Sequence, residues 1–386
     1  MSDSPDRPSK RGKKVRVDLR RNRQKSARDR TEWTRLYRSG SKKADDASKG
    51  EQVRARGDLS RKRTIIEEEV AGGIAGVAVS MRGQIVEVHD GKQVWACTAR
   101  RLLRNRLMDE RHAIVVGDRV IFTPVEVGGE ASRATSGEES MPEGVIEAVE
   151  PRTSTLLRQY ERRHHIIAAN VDNVCIVVAA DQPTLRPHLI DRYLVAIHKG
   201  GMRPVICINK ADLDQDSFAV EVCERYRQIG YRAILASAPT GLGIEELRFE
   251  LRDRTSALVG PSGVGKSSLI NVLDPTFKLQ VGTLSDLQRG KHTTTTARLL
   301  QWAFGGYIVD TPGIRQFELA AVESTELEAY FKEFVDLIPN CPFPDCTHTH
   351  EANCAIVAAV ETGSIHPERY DSYCRMLAEC REKETH

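Results

Sequence analysis

Between residues 73 and 150 the chain alternates apolar and polar positions in short bursts, IAGVAVS, QIVEVHD, QVWACTA, DRVIFTP and GVIEAVE, separated by turn signals such as Asp90-Gly91. Alternation with period two buries one face of each run, so five short strands in about 80 residues predict a small barrel. The five-stranded OB barrel, which binds oligonucleotides and RNA on one face, is the leading form, although the pattern does not separate it from an SH3-like barrel. From about Asp172 the texture changes. Apolar runs VCIVVAA, PVICINK, AILASA, SALVG and YIVDTPG now alternate with amphipathic stretches such as 189–199 and 218–229, the rhythm of a parallel sheet wrapped by helices. Beyond Glu323 the pattern turns helical, is interrupted by a Cys/His cluster at 341–354, and ends in a helical run over 355–383. The resulting division is an N-terminal extension at 1–70, an OB-type β-barrel at 71–152, an α/β domain at 153–322 and a helical C-terminal module at 323–386.

Composition adds charge to this picture. The net charge of +3 conceals an asymmetry, because residues 1–63 hold 22 Lys/Arg against 9 Asp/Glu and the rest of the chain is acidic. Strings such as Lys13, Lys14, Arg16, Arg20, Arg21 and Arg23, with few apolar residues between them, predict a disordered basic arm that meets a polyanion such as nucleic acid. Arg100, Arg101, Arg104, Arg106 and Arg111 form a second basic cluster, and residues 127–142 read as a Gly/Ser/Glu-rich loop. The 386 residues, 40% hydrophobic, exclude a wholly disordered chain, and no apolar run approaches the ~20 residues of a membrane span. No secretory signal opens the sequence, so a cytoplasmic, reduced environment is expected for the nine cysteines.

GPSGVGKS at 260–267 lies between an apolar strand run and a helical stretch, the context that a phosphate loop requires. Gly260, Gly263 and Gly265 allow backbone N–H groups to turn toward phosphate oxygens, with Pro261, Ser262 and Val264 between them; Lys266 reaches the terminal phosphates, Ser267 supplies a Mg²⁺ ligand, and Ser268 continues the helix entry. DTPG at 310–313 ends the run YIVDTPG about 45 residues later, which places Asp310 as a second Mg²⁺ carboxylate and the N–H of Gly313 near a γ-phosphate. Between them GKHTTTT at 290–296 offers Thr294 or Thr295 to complete the Mg²⁺ shell.

NKAD at 209–212 follows the run PVICI and is suited to reading guanine. Asp212 can accept from N1–H and the exocyclic amine, Asn209 braces the loop, and the Lys210 stem covers the ring. Ser237-Ala238 fits the companion loop whose backbone N–H meets guanine O6. These motifs precede the phosphate loop, the reverse of the Ras-like order, so the chain reads as a circularly permuted GTPase in which residues 241–254 join the old termini. Cys341, Cys346, His348 and Cys354 in C-x₄-C-x-H-x₅-C can close a structural zinc site, with His350 as the rival nitrogen ligand. Cys97, Cys175, Cys207 and Cys223 fall in strand or helix runs and read as core residues, while Cys374 and Cys380 have no assignment.

Over residues 73–373 the chain resembles the circularly permuted, small-ribosomal-subunit-dependent GTPases known as RsgA or YjeQ, on the strength of GPSGVGKSS, GKHTTT, DTPG and CPFPDCTHTHEANCAI. The resemblance implies GTP hydrolysis stimulated by the small ribosomal subunit, a role in its late maturation, contact with its rRNA, and His348 as the zinc ligand. A monomer is expected. The basic arm lies outside the shared core. Ras-type hydrolysis uses a Gln just after DxxG, where this chain has Ile314, so intrinsic turnover should be slow and another group must orient water. His292 is the candidate, favoured further by the resemblance. The competing reading is an RNA-binding protein whose guanine-nucleotide site is a structural prop without stimulated turnover; an ATP-dependent RNA kinase or helicase is disfavoured by Asp212.

Overall fold

The first five alternating runs close on themselves. In the computed structural model, which describes residues 73–100, 103, 114–125, 141–160, 163–277, 297–310 and 322–385, they form β1 (Ile74–Arg82), β2 (Ile85–His89), β3 (Val94–Ala99), β4 (Arg119–Pro124) and β5 (Glu143–Val149). The strands pair in the order β1-β2-β3-β5-β4 and β4 returns to β1, with β3 and β5 parallel and the other pairs antiparallel. This Greek-key closure is that of the OB barrel, and it decides the choice that the pattern left open. Ala78, Val86, Val88, Cys97, Val120, Phe122 and Ile146 fill the interior. The basic arm, the arginines at 101, 104, 106 and 111, and most of the loop 127–142 lie outside the described residues.

A hairpin of β6 (Thr155–Tyr160) and β7 (Arg163–Ala169) leads out of the barrel. It escaped the sequence reading because its apolar pairs flank the charged run RQYERRHH and show no sustained alternation. The α/β sheet has the order β10-β9-β8-β11-β13-β12, built from β8 (Asn173–Ala179), β9 (Arg203–Asn209), β10 (Arg232–Leu235), β11 (Thr255–Val259), β12 (Arg298–Gln301) and β13 (Tyr307–Asp310). The five apolar runs pair in parallel as expected, and β12, which the pattern did not reveal, adds an antiparallel strand beside β13 at the edge. Its four residues, RLLQ, are too short to display a period.

Chain direction fixes which face each helix covers. Steps from β8 to β9 to β10 move one way along the sheet, and right-handed crossovers place α1 (Pro187–Lys199) and α2 (Phe218–Gln228) on one face. The step from β10 to β11 reverses direction, so α3 (Ile244–Leu251) and α4 (Lys266–Leu273) cover the other face. The reversal falls between β8 and β11, and a crevice beyond the strand ends at such a point is where ligands bind in open α/β sheets.

The C-terminal module contains α5 (Lys332–Val335), α6 (Ala355–Glu361) and α7 (Pro367–Thr385) around a core that includes Phe331, Phe334, Tyr373 and Met376. The helical run over 355–383 is therefore two helices. Gly363 adopts φ +76° just past the end of α6, Pro367 opens α7, and together they stop one helix and start the next. The module rests on α1, whose Val195 joins its core. Cross-contacts are charged: Arg369–Asp191, Arg192–Glu379, Lys199–Glu326 and Arg225–Glu368. Among the described residues no helix is long and apolar enough to cross a membrane.

Candidate nucleotide and zinc sites

The phosphate-loop motif leaves the end of β11, the central strand next to the point of reversal. Gly260 takes φ +144° against β8, where a Cβ would sit 2.0 Å from the carbonyl oxygen of Val177. Gly265 takes φ +92° at the start of α4, and a Cβ there would meet Asn209 Nδ2 at 2.4 Å. Both glycines are thus demanded by conformation and by space. Lys266 donates from Nζ to the carbonyl oxygens of Gly260 and Pro261 at 2.8 and 2.6 Å, which folds the ammonium over the loop it is expected to serve. Val264 and Ser267 are buried beneath it.

The guanine motif leaves β9, two strands away. Asn209 is buried, and its Nδ2 donates to the carbonyl oxygen of Val264 at 2.8 Å, so it braces the phosphate loop as well as its own. Asn209 Oδ1 has no hydrogen-bond partner among the described residues. A buried acceptor in that state costs about 1–3 kcal/mol until a ligand or water supplies a donor. Lys210 stands at φ +59° and its Nζ donates to the carbonyl oxygen of Gln182. Ser237 Oγ donates to Asp212 Oδ1 at 2.6 Å, and its own N–H is bonded to Leu242 O. Of the companion pair, then, Ser237 orients the carboxylate while Ala238 faces the cavity. That cavity, of about 420 Å³, lies between Lys210, Asp212 and Ala238 on one side and Gly265, Ser268 and Asn271 on the other. Its volume and mixed lining are those of a small-molecule site.

Asn271 was missed by motif reading. Helical spacing was the available signal, since positions i+3 and i+4 from Ser268 and Ser267 share their face of α4. Asp310 ends β13, and β13 pairs with β11, so the two phosphate-directed elements do occupy adjacent strands. Burial pushes the Asp310 carboxyl above the usual carboxylate range, against the pull of Arg298. A desolvated carboxylate and a hydroxyl at Ser267 are hard oxygen donors of the kind that suits Mg²⁺. Residues 290–296 and 311–314, and with them His292, Thr294, Thr295, Gly313 and Ile314, lie outside the described residues.

Cys341, Cys346, His348 and Cys354 converge, with their ligand atoms all within 4.8 Å of one another. Cys341 Sγ lies 3.9 Å from Cys354 Sγ and 3.5 Å from His348 Nδ1, which is 3.4 Å from Cys354 Sγ. Bonds of about 2.3 Å to sulfur and about 2.0–2.1 Å to nitrogen give a zinc tetrahedron edges of about 3.8 Å (S–S) and about 3.5 Å (S–N), so the donor set fits that ion. His350 is exposed and contacts Thr349 instead. Glu328, not singled out by spacing, accepts from His348 Nε2 at 2.7 Å and orients the ring, leaving Nδ1 for metal. Cys97, Cys175, Cys207 and Cys223 are buried, as expected of core residues, and Cys380 joins them.

A family model described as RsgA GTPase matches residues 149–320. The protein named small ribosomal subunit biogenesis GTPase RsgA from Chlorobaculum tepidum is 40% identical over 314 residues, covering 79% of this chain and 97% of that protein. Its namesake from Thermotoga maritima is 40% identical over 311 residues, covering 79% and 96%. The crystal structure of YjeQ from Thermotoga maritima superposes with a TM-score of 0.64 at 36% identity, covering 80% of this chain and 98% of that one. YloQ, described as a circularly permuted GTPase, superposes with a TM-score of 0.63 at 27% identity, covering 83% and 99%. With the barrel, the permuted nucleotide site and the Cys/His cluster all in place, this chain belongs to the RsgA GTPase family.

Proposed function

We propose that this GTPase is an assembly factor that binds the small ribosomal subunit, acts in its late maturation, and hydrolyses GTP there to time its own release. The observation that carries the reading is the coverage of the relatives: proteins named for small-subunit biogenesis match over 96–97% of their length, across barrel, nucleotide site and metal module together. The OB topology supports an RNA-facing surface, and the basic arm and arginine cluster supply phosphate contacts to rRNA. The protein works as a cytoplasmic monomer.

In this reading Gly260, Pro261, Ser262, Gly263, Val264, Gly265, Lys266 and Ser268 cradle the phosphates of GTP or GDP. Asn209, Lys210, Asp212 and Ala238 select guanine, with Asp212 aimed by Ser237. Ser267, Asp310 and one of Thr294 and Thr295 hold Mg²⁺. Mg²⁺, when bound, neutralises charge developing on the phosphates. Lys266 stabilises the same charge, the Gly313 N–H meets the γ-phosphate, and His292 orients the attacking water in place of the glutamine that Ile314 replaces. Cys341, Cys346, His348 and Cys354 hold a structural zinc ion.

The test is GTP hydrolysis with and without purified small ribosomal subunits, with large subunits as control. Strong stimulation by small subunits alone is expected. Nucleotide binding without any stimulation would replace this reading with an RNA-binding protein whose nucleotide site is a prop.

A further inference from the structure

The barrel shares a core with β13 and β12, the last two strands on one side of the α/β sheet. β1 alternates between two environments: Ala78 lies in the barrel core, whereas Val79, with Val77 packed against the cluster, belongs to the same core cluster as Ala297, Leu299 and Val309 at and next to β12 and β13. The partners are informative, because β12 begins just after the threonine-rich stretch 290–296 and β13 ends at Asp310. Both segments expected to surround the γ-phosphate are therefore attached to strands that lean on the barrel.

A polar contact crosses this junction at the rear of β13. Tyr307 OH lies 3.0 Å from His89 Nδ1, with the two rings edge to face at 6.1 Å. The N–H of Gly91 donates to the same Nδ1 at 3.1 Å. A backbone N–H only donates, so Nδ1 is the acceptor and Tyr307 the second donor. His89 is itself held firmly. It closes β2 next to a turn in which Asp90 accepts from the N–H groups of Lys92 and Gln93 and from Trp95 Nε1 at 2.7, 2.8 and 2.8 Å. These bonds, that from Gln93 foremost, lower the Asp90 carboxyl to about 2, so the turn keeps its charge and its shape. From Tyr307 the strand runs three residues, about 10 Å, to Asp310, bonded to β11 on one side and β12 on the other.

We infer that Tyr307 is a positioning residue for hydrolysis: gripped by His89 of the barrel, it transmits the seating of the barrel on its RNA partner to the strand that presents Asp310. Tyr307 stands at the opposite end of β13 from Asp310; it sets the register of a short strand whose far end carries the carboxylate. The inference rests on the proposed stimulation by the small subunit, and it names the route.

The experiment measures basal and subunit-stimulated turnover and GDP affinity for wild type, Tyr307→Phe, His89→Ala, His89→Gln and the Tyr307→Phe/His89→Ala double variant. Tyr307→Phe is expected to lower the ratio of stimulated to basal turnover about fivefold, the scale of one hydrogen bond, with GDP affinity within about twofold of wild type. His89→Ala should match it, the double variant should fall no further, and His89→Gln, which retains an acceptor, should recover most of the ratio. A wild-type ratio in Tyr307→Phe, an equal fall in basal and stimulated rates, or additive losses in the double variant would overturn the coupling. Wild-type protein that small subunits fail to stimulate would instead overturn the functional reading, and the coupling with it.

Discussion

Asn209 donates its side-chain amide to the carbonyl oxygen of Val264 at 2.8 Å, across 55 residues of sequence. The bond joins the NKAD loop at the end of β9 to the GPSGVGKS loop at the end of β11, and it explains how permutation leaves the two loops side by side. Rejoining the chain through α3 changes the order in which the loops are made, while each strand end keeps its neighbours. Hydrogen bonds depend on that adjacency and not on chain order.

Removal of the phosphate-loop ammonium should silence the enzyme. Lys266→Ala is expected to lower subunit-stimulated kcat by at least about 10²-fold and to weaken GTP more than guanosine, since only phosphate charge loses its partner. Single-turnover hydrolysis and nucleotide titration check this, and unchanged turnover would remove Lys266 from the mechanism.

Base selection is expected to follow the carboxylate that Ser237 orients. Asp212→Asn replaces an acceptor pair with one donor and one acceptor, so GTP should bind at least about 100-fold more weakly and XTP, which carries a carbonyl where guanine has its amine, should bind in its place. Competition against labelled GDP reads both effects. ATP displacing GDP from the unaltered protein as well as GTP does would sink the guanine assignment itself.

Metal analysis should find one zinc per chain, lost on Cys346→Ser together with the near-ultraviolet signal of the C-terminal aromatics. Glu328→Gln leaves all four ligands in place but weakens the support of the His348 ring, and is expected to lower zinc affinity about 10–100-fold in a chelator competition. Undiminished affinity would show that Glu328 is not part of the site.

The C-terminal module should depend on one buried arginine. Arg369 is 2% exposed and bonds to Asp191 at 2.5 Å and to Glu333 at 2.7 Å. Arg369→Ala leaves both carboxylates without their counter-charge and is expected to destabilise the fold by about 3–5 kcal/mol. Arg192→Ala breaks a partly exposed pair with Glu379 and should cost less than about 1 kcal/mol. Urea unfolding of both variants makes the comparison; equal losses would contradict it.

His198 sets an acid limit on stability. Desolvation first, then the charges of Lys332 and Arg369, lower its pKa from 6.5 to about 3. The unfolded chain therefore takes up a proton that the folded chain refuses between these values, so stability is complete above pH 6.5 and falls as pH drops toward 3. The slope from this group approaches about 1.4 kcal/mol per pH unit. His198→Leu should flatten the acid limb of the stability curve between pH 6 and 4, measured by urea midpoints; an unaltered limb would assign it to other groups.

The candidate motifs for phosphate, guanine and zinc can be picked out of the sequence because each depends on residue types at short fixed spacing: a loop of eight residues, a tetrad and a cluster of 14. Strands β1 to β5 and the parallel strands were legible because burial of one or both faces imposes a period over five or more residues or a dense apolar run. Contacts between distant segments carry no such local mark. Barrel closure through the parallel β3–β5 pair, the antiparallel β12, the orientation of Asp212 by Ser237, the pairing of His348 with Glu328 and the seating of the module by Arg369 on Asp191 were all decided by tertiary structure. Each depends on which strand ends and helix faces meet after folding. Long-range packing and desolvation settle that choice, whereas residue spacing determines only which chemistry is available once they do.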